Sequence, residues 1–360
     1  MFIKDIQTKS IKKILIIQLG DIGDVVWVTP TIWAVKAAFP SAQVSVLLCH
    51  GFRGILENDP SLAKVFEIPA GRKNMFESLK EQVGFLRRLR QERFDMTIDL
   101  RAGDRGAINS YLTGAPVRVA VLYREGVPFW RNHLFTHLVD PPESSVKVRG
   151  AAEQSLRIVR ELGIEAKDTV PHLWVSEGNK TRALKILEQH ELDDSVKRVS
   201  INPFSRWNYK EWPATNWIAI IDWLWNEYQL PCMIVGAPEE RDSASILVQK
   251  SSGRAFNVAG ETTLGDLKAL LFLSRLHIGV DSAAPHIAAA VGTPTITIYG
   301  PSDWIDWAPV GDRHRVVTPD CGCAPCRRKG CDGTGRSRCL EELGPEKVKA
   351  AVKEALAAGS

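Results

Sequence analysis

The chain has 360 residues, of which 44% are hydrophobic and 24% charged, with a formal net charge of +4. This length and composition are typical of a globular protein with two domains of ordinary size. The small positive charge is too weak to predict nucleic-acid binding, and it suits an acidic substrate or an anionic membrane surface. No window holds the ~18 apolar residues of a membrane span, and the charged N-terminus does not resemble a signal peptide. We therefore expect a cytoplasmic protein.

The first half of the chain alternates apolar runs with helical segments. Residues 13–19 form a continuous apolar run, which predicts a buried parallel strand, and a glycine-rich turn at 20–24 leads into a helical pattern over 25–39. Further strands are predicted at 43–49, 65–68, 95–100 and 117–121, and helices at 77–90 and 149–162. This alternation predicts a mostly parallel sheet.

Charged residues follow two of these predicted strands. Asp24 ends the turn after the first strand, where a carboxylate is either a helix cap or a base that projects from a loop into a cleft. The turn lacks a GxGxxG pattern, and its acidic residues would repel a pyrophosphate, so it does not predict a dinucleotide site. Arg101 and Arg105 follow the strand at 95–100. They are candidates for binding an anionic acceptor, and the alternative is that they are solvated surface residues.

The second half restarts the same rhythm after a proline-containing crossover at residues 167–177. Its predicted strands lie at 198–203, 231–235, 256–259, 277–280 and 295–299, and its helices at 184–190, 212–228, 241–250, 264–273 and 283–291. Two successive runs of this kind predict an α/β fold of two Rossmann-like, doubly wound domains that face a cleft. We place the domains at 1–170 and 171–342, with a terminal helix in 343–360 that could pack back on the first domain.

Polar loops follow the strands of the second half and suit a nucleotide diphosphate. They supply hydroxyls, cations and a helix N-terminus for the phosphates, and carboxylates for ribose or sugar hydroxyls. The candidate residues are Ser205, Arg206, Lys210, Glu240, Gly260, Glu261, Asp281, Ser282, Ala283, Ala284 and His286. The chain has no GxxxxGK[ST] motif and no D-x-D pair at a strand end, so Lys210 is the candidate cation to offset leaving-group charge. The alternatives are a surface lysine at 210 and a polar packing histidine at 286.

Five short motifs together resemble one family of enzymes. They are LGDIGDVV at 19–26, NP at 202–203 with KEWP at 210–213, GAPE at 236–239, VAGETTL at 258–264, and DSAAPH at 281–286 with GP at 300–301. In this order they resemble glycosyltransferase family 9, the ADP-heptose:lipopolysaccharide heptosyltransferases, which have the GT-B fold. The chain departs from the family's common pattern at Glu261 and Ala283, where lysine and glycine often stand. These departures bear on the shape of the nucleotide pocket and on the identity of the donor.

The resemblance implies an inverting glycosyl transfer that uses neither metal nor cofactor. It implies that the first domain binds a lipopolysaccharide core acceptor and that the second binds ADP-heptose. The family's catalytic base matches Asp24, and its donor-binding lysine and aspartate match Lys210 and Asp281. Two alternatives remain at this point. One is an isomerase or hydrolase, or another GT-B transferase, that uses a different nucleotide sugar, and the other is a non-catalytic nucleotide-sugar binding protein.

An acceptor with a lipid part lies in a bilayer, so we expect peripheral contact with the cytoplasmic face of the inner membrane. The aromatic and basic segment at residues 129–131 is the candidate contact, and the alternative is that its side chains pack in the core.

A cysteine-rich segment precedes the terminal helix. Five thiols in C-x-C-x2-C-x4-C-x7-C spacing could supply a structural zinc site, although the usual paired C-x2-C knuckles are missing. The residues are Cys321, Cys323, Cys326, Cys331 and Cys339. Reduced thiols or an adventitious disulfide are the alternatives, and we assign the segment no catalytic role.

Overall fold

The computed structural model of the protein describes residues 11–71, 75–141, 150–192 and 195–358. They form two compact units. The described residues up to Trp174 belong to the first unit, apart from Gly150, and those from Val175 belong to the second. The sequence analysis placed the boundary at residue 170. The last residues before this division stay with the first unit because His172 is anchored there. Its ring stacks on Trp33 with centroids 5.4 Å apart, and its backbone N–H donates to Thr29 Oγ1 at 3.3 Å.

The described part of the first unit is built around a parallel six-stranded sheet. Its strands are β1 (Lys13–Gln18), β2 (Gln43–Leu48), β3 (Lys64–Glu67), β4 (Met96–Asp99), β5 (Val117–Val121) and β6 (His137–Val139). Its helices are α1 (Ile22–Trp27), α2 (Thr29–Ala38), α3 (Arg53–Leu56), α4 (Met75–Gln91), α5 (Asp104–Leu112) and α6 (Glu153–Arg160). The strand order is β3-β2-β1-β4-β5-β6.

The described part of the second unit repeats this architecture. Its strands are β7 (Val199–Asn202), β8 (Cys232–Ile234), β9 (Ala255–Asn257), β10 (Leu276–Val280), β11 (Thr295–Ile298) and β12 (His314–Val317). Its helices are α7 (Glu177–Gln189), α8 (Ala214–Tyr228), α9 (Arg241–Lys250), α10 (Leu264–Phe272), α11 (Ala283–Ala290), α12 (Trp304–Trp307), α13 (Arg338–Glu341) and α14 (Pro345–Ala357). The strand order is β12-β11-β10-β7-β8-β9, and all described pairings are parallel.

Both sheets therefore have the same doubly wound topology. In each, the first strand pairs with the second on one side and with the fourth on the other, so the direction of winding reverses between them. Ile17 pairs with Asp99 across the first reversal, and Asn202 pairs with Gly279 across the second. Loops at the carboxyl ends of strands diverge at such a reversal and leave a crevice where ligands bind. The two reversals are thus where functional side chains are expected.

The structure differs from the predicted elements in several places, and the described helices α3, α5, α12 and α13 were not predicted. The helix predicted over 25–39 is two helices, because Pro30 lacks an N–H and the Thr29 hydroxyl donates to the Val26 carbonyl at 2.9 Å instead. The edge strands β6 and β12 were not predicted. The terminal helix α14 belongs to the second unit. Its buried face joins the core of the second unit, where it packs on α8, β11 and β12.

None of the described helices is long and apolar enough to cross a bilayer.

Candidate active site

Asp24 lies at the reversal of the first sheet, in the first turn of α1. Its Oδ2 accepts the backbone N–H of Asp21 at 2.9 Å, and its Oδ1 pairs with Arg101 Nη1 at 3.0 Å. A Cβ on Gly20 would lie 2.3 Å from Asp24 Oδ2, so any side chain there would displace the carboxylate. Burial raises the pKa of Asp24, while Arg101 and the Asp21 N–H act in the opposite direction. The carboxylate is therefore both a helix cap and a candidate base.

A buried ion pair holds the main chain of Arg101 in place. Asp99 Oδ1 accepts the Arg101 N–H at 3.2 Å, and Arg131 Nη2 donates to the Arg101 carbonyl at 2.7 Å. Arg131 Nη2 and Asp99 Oδ2 are 3.5 Å apart, and neither side chain is exposed. Burial raises the pKa of Asp99 to about 7. This pair positions Arg101 beside Asp24.

The burial of Arg131 bears on the two readings of the segment at 129–131, membrane contact and packing in the core. Arg131 is fully buried beneath the rings of Tyr123 and Phe135 at 4.9 and 5.0 Å, which agrees with core packing for this residue. Its buried partner Asp99, 32 residues earlier in the chain, could not be found from the local pattern. Trp130 is half-buried, and Phe129 alone of the three is exposed.

A cavity of about 380 Å³ opens in the first unit next to Arg101. It is lined by Leu19, Leu100, Arg101, Ala102, Gly103, Arg105, Gly106, Val121, Tyr123, Gln154, Arg157 and Ile158. The structure thus brings together Arg101 and Arg105, which the sequence singled out, and adds Arg157 from α6, which it missed. The only sequence signal for Arg157 is its place in an amphipathic helix between the buried Leu156 and Ile158.

Lys210 and Asp281 meet at the reversal of the second sheet. Lys210 ends a short 3-10 turn after β7, and Asp281 directly follows β10. Lys210 Nζ donates to Asp281 Oδ2 at 2.6 Å, and the two side chains are only 22% and 10% exposed. The nearby Ser205 Oγ donates to the Asp281 carbonyl at 3.5 Å. A cation, a carboxylate and a hydroxyl therefore converge at the reversal of the second sheet.

The start of α11 lies beside this pair. Neither Asp281 nor Ser282 caps the helix through its side chain, because Asp281 binds Lys210 and the Ser282 hydroxyl donates to Asn202 Oδ1 at 2.7 Å. The first-turn N–H groups, at Ala283 and Ala284, are thereby left for an anionic ligand.

His286 lies in the first half of α11 and is buried. Burial lowers its pKa to about 4, with Asp281 and Lys210 as its charged neighbours. The imidazole is therefore neutral near pH 7 and can offer a hydrogen bond to a ligand, but no positive charge.

Glu240 repeats in the second unit the capping role of Asp24. Its Oε2 accepts the Ala237 N–H at 2.7 Å, and a Cβ on Gly236 would lie 2.7 Å from that oxygen. Burial raises the pKa of Glu240. Gly260, with φ +75°, donates its N–H to the Gly236 carbonyl at 3.0 Å and joins the loops after β8 and β9. Together these residues form a fixed turn that presents the carboxylate of Glu240.

Two of the predicted donor residues are placed less favourably. The carboxylate of Glu261 pairs with Arg241 Nη2 at 2.9 Å and lies 3.2 Å from His190 Nε2, so its charge is offset within the protein. Arg206 is exposed on the loop after β7.

The cysteines are not arranged as the structural zinc site that the sequence offered as one of three possibilities. Among the described residues, no group of three or more His, Cys, Asp or Glu side chains is arranged to hold a metal ion. Cys321 and Cys323 have their sulfurs 3.6 Å apart. Cys339 is drawn into the second core, and burial raises its pKa to about 12, which disfavours a thiolate ligand. The fifth thiol of the motif serves packing.

Comparison with known proteins places this geometry in context. Residues 83–335 match the model of glycosyltransferase family 9 (heptosyltransferase). The lipopolysaccharide heptosyltransferase 3 of Escherichia coli is 28% identical over 311 residues, which cover 83% of this chain and 89% of the relative. Two solved structures are similar over 96% of this chain. They are a family 9 glycosyl transferase from Veillonella parvula (TM-score 0.81, 20% identity, 97% of that chain) and the E. coli ADP-heptose lipopolysaccharide heptosyltransferase II (0.78, 19%, 99%). The predicted two-domain GT-B fold is confirmed.

Proposed function

The chain belongs to glycosyltransferase family 9, and we propose that it moves a heptose from ADP-heptose to a hydroxyl of the lipopolysaccharide inner core. The observation that carries the proposal is the Lys210–Asp281 pair, 2.6 Å apart at the reversal of the second sheet and beside an uncapped helix start. The names of the relatives support the choice of donor and acceptor. The E. coli relative is a lipopolysaccharide heptosyltransferase, and the similar E. coli structure is an ADP-heptose enzyme.

The second unit is proposed to bind the donor. Lys210 and the N–H groups of Ala283 and Ala284 interact with the diphosphate, as a cation and a helix N-terminus suit an anion. Asp281 orients Lys210 and accepts hydrogen bonds from hydroxyls of the donor sugar. Glu240 binds the ribose hydroxyls with the oxygen that its capping bond leaves available.

The first unit is proposed to activate the acceptor. Asp24 takes the proton from the acceptor hydroxyl as that oxygen attacks the anomeric carbon. The bond from this carbon to the diphosphate oxygen breaks on the opposite face, so the configuration inverts. The electron pair leaves with ADP, and its growing charge is stabilised by Lys210 and the α11 amides. These groups supply positive charge without a metal ion, which supports a metal-independent reaction.

The test is to incubate the full chain with ADP-heptose, with and without a lipid A–core acceptor, in the presence of EDTA. The proposal expects ADP release that depends on the acceptor, and a product with inverted anomeric configuration by NMR. Acceptor-independent release of free heptose or of an epimerised nucleotide sugar would instead favour the hydrolase or isomerase alternative. Binding of ADP-heptose without any turnover would favour a binding protein.

Membrane contact is proposed through α4. The segment at residues 129–131 is a poorer candidate, because its cation Arg131 is buried in the first unit. Leu79 and Val83 lie one turn apart on this helix and are 61% and 39% exposed. Exposed cations, Lys80 and Arg87, lie on the same helix. An apolar stripe flanked by cations suits the interface of an anionic leaflet, and the proposed acceptor places this at the cytoplasmic face.

A further inference from the structure

The cavity of the first unit carries an unbalanced positive charge. Among the described residues that line it, three are arginines, Arg101, Arg105 and Arg157, and none is a carboxylate. Of these, Arg101 pairs with Asp24. Within the part of the chain that the structure describes, the guanidinium groups of Arg105 and Arg157 form no ion pair. Arg157 Nε is also buried without a hydrogen-bond partner there.

Such an arrangement is costly unless a ligand satisfies it. A buried N–H without an acceptor loses its hydrogen bond to water and gains none in return, and the penalty is larger on a charged group. Unpaired cations that converge on a cavity also repel one another. An anion that enters the cavity removes both costs, and the guanidinium fork matches the oxygens of a phosphate.

The number of unpaired cations favours a phosphate over a carboxylate. A phosphate monoester carries about −1.5 to −2 charges near pH 7 and presents three acceptor oxygens. That charge matches the two arginines that lack partners, whereas a carboxylate would balance only one. The cavity, at about 380 Å³, lies in the size range of small-molecule sites and is larger than a phosphate alone requires. The remaining space and the phenol of Tyr123 suit the sugar that carries the phosphate.

Arg101 links this cavity to Asp24. Arg101 lines the cavity, and its guanidinium pairs with the carboxylate at 3.0 Å. Asp99 and Arg131 hold its main chain in place. Its side chain is 42% exposed, so it can turn between the two partners without disturbing the core.

We propose that this cavity binds a phosphate monoester on the acceptor sugar, and that Arg101 is shared between that phosphate and Asp24. When the phosphate is held by Arg105 and Arg157, it draws Arg101 away from Asp24. The carboxylate loses a charge-assisted hydrogen bond and becomes a stronger base only when the phosphorylated acceptor is present. Arg101 is thus a positioning residue that couples acceptor recognition to the base. This inference deepens the proposed function and rests on it for the identity of the acceptor.

Two other titratable groups surround Asp24. They are Asp21 on its own turn and Cys49 after β2. The charge of Asp21 raises the pKa of Asp24, and the charges of Asp24 and Arg101 act in opposite directions on the pKa of Cys49. Neither bridges Asp24 to the cavity as Arg101 does.

The first experiment measures binding of inorganic phosphate to the full chain by isothermal titration calorimetry, without donor or acceptor. Arg157→Gln and Arg105→Gln should each weaken binding about 10- to 100-fold, as expected for loss of a charge-assisted hydrogen bond. Arg88→Gln, which removes an exposed arginine of α4 outside the cavity, should leave it unchanged. If Arg105→Gln bound phosphate as tightly as Arg88→Gln does, the proposed phosphate site would be overturned. If the wild type bound acetate as tightly as phosphate, the preference for phosphate over a carboxylate would be overturned. Arg105 is exposed in the first turn of α5, so its variant keeps the test valid if Arg157→Gln does not fold.

The second experiment follows the Asp24 carboxyl by NMR in protein labelled with ¹³Cγ-aspartate, assigned with Asp24→Asn. Saturating phosphate should raise the pKa of Asp24 by about one unit in the wild type, because a neighbouring cation is withdrawn. It should not change that pKa in Arg101→Gln. An identical pKa with and without phosphate in the wild type would overturn the coupling. Neither experiment involves ADP-heptose, so failure of the proposed transferase reaction and failure of this inference are distinguishable.

Discussion

Lys210 and Asp281 form an ion pair at 2.6 Å that spans the winding reversal of the second sheet, and Asp24 and Arg101 form its counterpart at 3.0 Å in the first. In each pair, one residue follows the first strand of its unit and the other follows the fourth. The signs are exchanged, since the cation follows the first strand in the second unit and the carboxylate follows it in the first. In the proposed reaction, the same topology would thus present a cation for the leaving diphosphate in one unit and a carboxylate for the proton in the other.

Lys210→Ala should lower kcat/KM by ~30- to 1000-fold, which corresponds to about 2–4 kcal/mol of lost transition-state stabilisation. The reason is that the diphosphate loses its cation and Asp281 loses its partner. The measurement is steady-state transfer from ADP-heptose in EDTA, where the wild type should stay active.

Lys210→Arg is the conservative comparison, because it keeps the charge but changes the geometry, and it should retain more activity than Lys210→Ala. A wild type that is inactive until Mg²⁺ is added would contradict metal independence, and an unaffected Lys210→Ala would contradict the role of the lysine.

Asp24→Asn should lower kcat by ~10²–10⁴-fold, the usual contribution of a general base. Asparagine can still accept the Asp21 N–H at the helix start, so the melting temperature should change little. Donor binding, measured by calorimetry with ADP, should be unchanged because the proposed donor residues belong to the second unit. Asp21→Asn is the matched control on the same turn, and wild-type turnover in Asp24→Asn would reject the assignment.

Gly20→Ala should reduce turnover nearly as far as Asp24→Asn, although it changes no reacting group. The new Cβ would lie 2.3 Å from Asp24 Oδ2 and 2.8 Å from its Cβ, so the carboxylate must move. A displacement of this size is enough to spoil the alignment of a base. Gly84→Ala is the control, since a Cβ there meets nothing within 4 Å. Full activity in Gly20→Ala would mean that the position of Asp24 is not critical.

The sequence predicted those parts of the site that lie immediately after strands. Asp24, Lys210 and Asp281 stand in short motifs at strand ends, where both topology and family resemblance point to function. Arg157 was missed because it lies within a helix, and only the packing of α6 decides which of its polar side chains reaches the cavity.

The sequence also could not reveal contacts between residues far apart in the chain, or the packing of individual side chains. Arg131 looked like a surface cation because the Asp99 carboxylate that stabilises its burial lies on β4. The edge strands β6 and β12 were missed because they are short and only partly buried, so they lack a continuous apolar pattern. Cys339 looked like a zinc ligand because spacing does not reveal that its side chain enters a core.

His277 should make the protein sensitive to acid. It is fully buried on β10, and burial lowers its pKa to about 3 from 6.5. Below pH 6.5 the unfolded chain binds a proton on this histidine, whereas the folded chain does not until the pH is near 3. The stability that the neutral histidine contributes to the folded state is therefore complete above pH 6.5 and is lost as the pH falls toward 3. The full loss in the free energy of unfolding is about 4–5 kcal/mol. Asp99 has the opposite effect on the pH dependence of stability. Its raised pKa makes the folded state bind more protons than the unfolded state between about pH 4 and pH 7, so acid stabilises the fold through this group.

A comparison of variants separates the effect of His277 on the pH dependence of stability from that of Asp99. The free energy of unfolding, measured by urea titration between pH 4.5 and 7.5, should fall less steeply with acid in His277→Gln than in the wild type. His50→Gln, which removes an exposed histidine, should retain the wild-type slope. The variant can be less stable at every pH, since Ser200 loses a hydrogen-bond partner that lies at 3.0 Å, and the test depends only on the slope. Equal slopes in wild type and His277→Gln would contradict the prediction.

The last prediction concerns membrane contact through α4. Leu79→Glu combined with Val83→Glu should weaken binding to vesicles that contain anionic lipid by about tenfold or more, because burial of two partly exposed apolar side chains is worth on the order of 2–3 kcal/mol. Ile246→Glu on α9, which replaces an apolar side chain that is 49% exposed, is the matched control and should bind as the wild type does. Co-sedimentation with anionic and with zwitterionic vesicles separates the contributions, since the cations Lys80 and Arg87 favour only the anionic ones. Wild-type binding that is equal for both lipid types, or unchanged in the double variant, would exclude α4 as the membrane-binding surface.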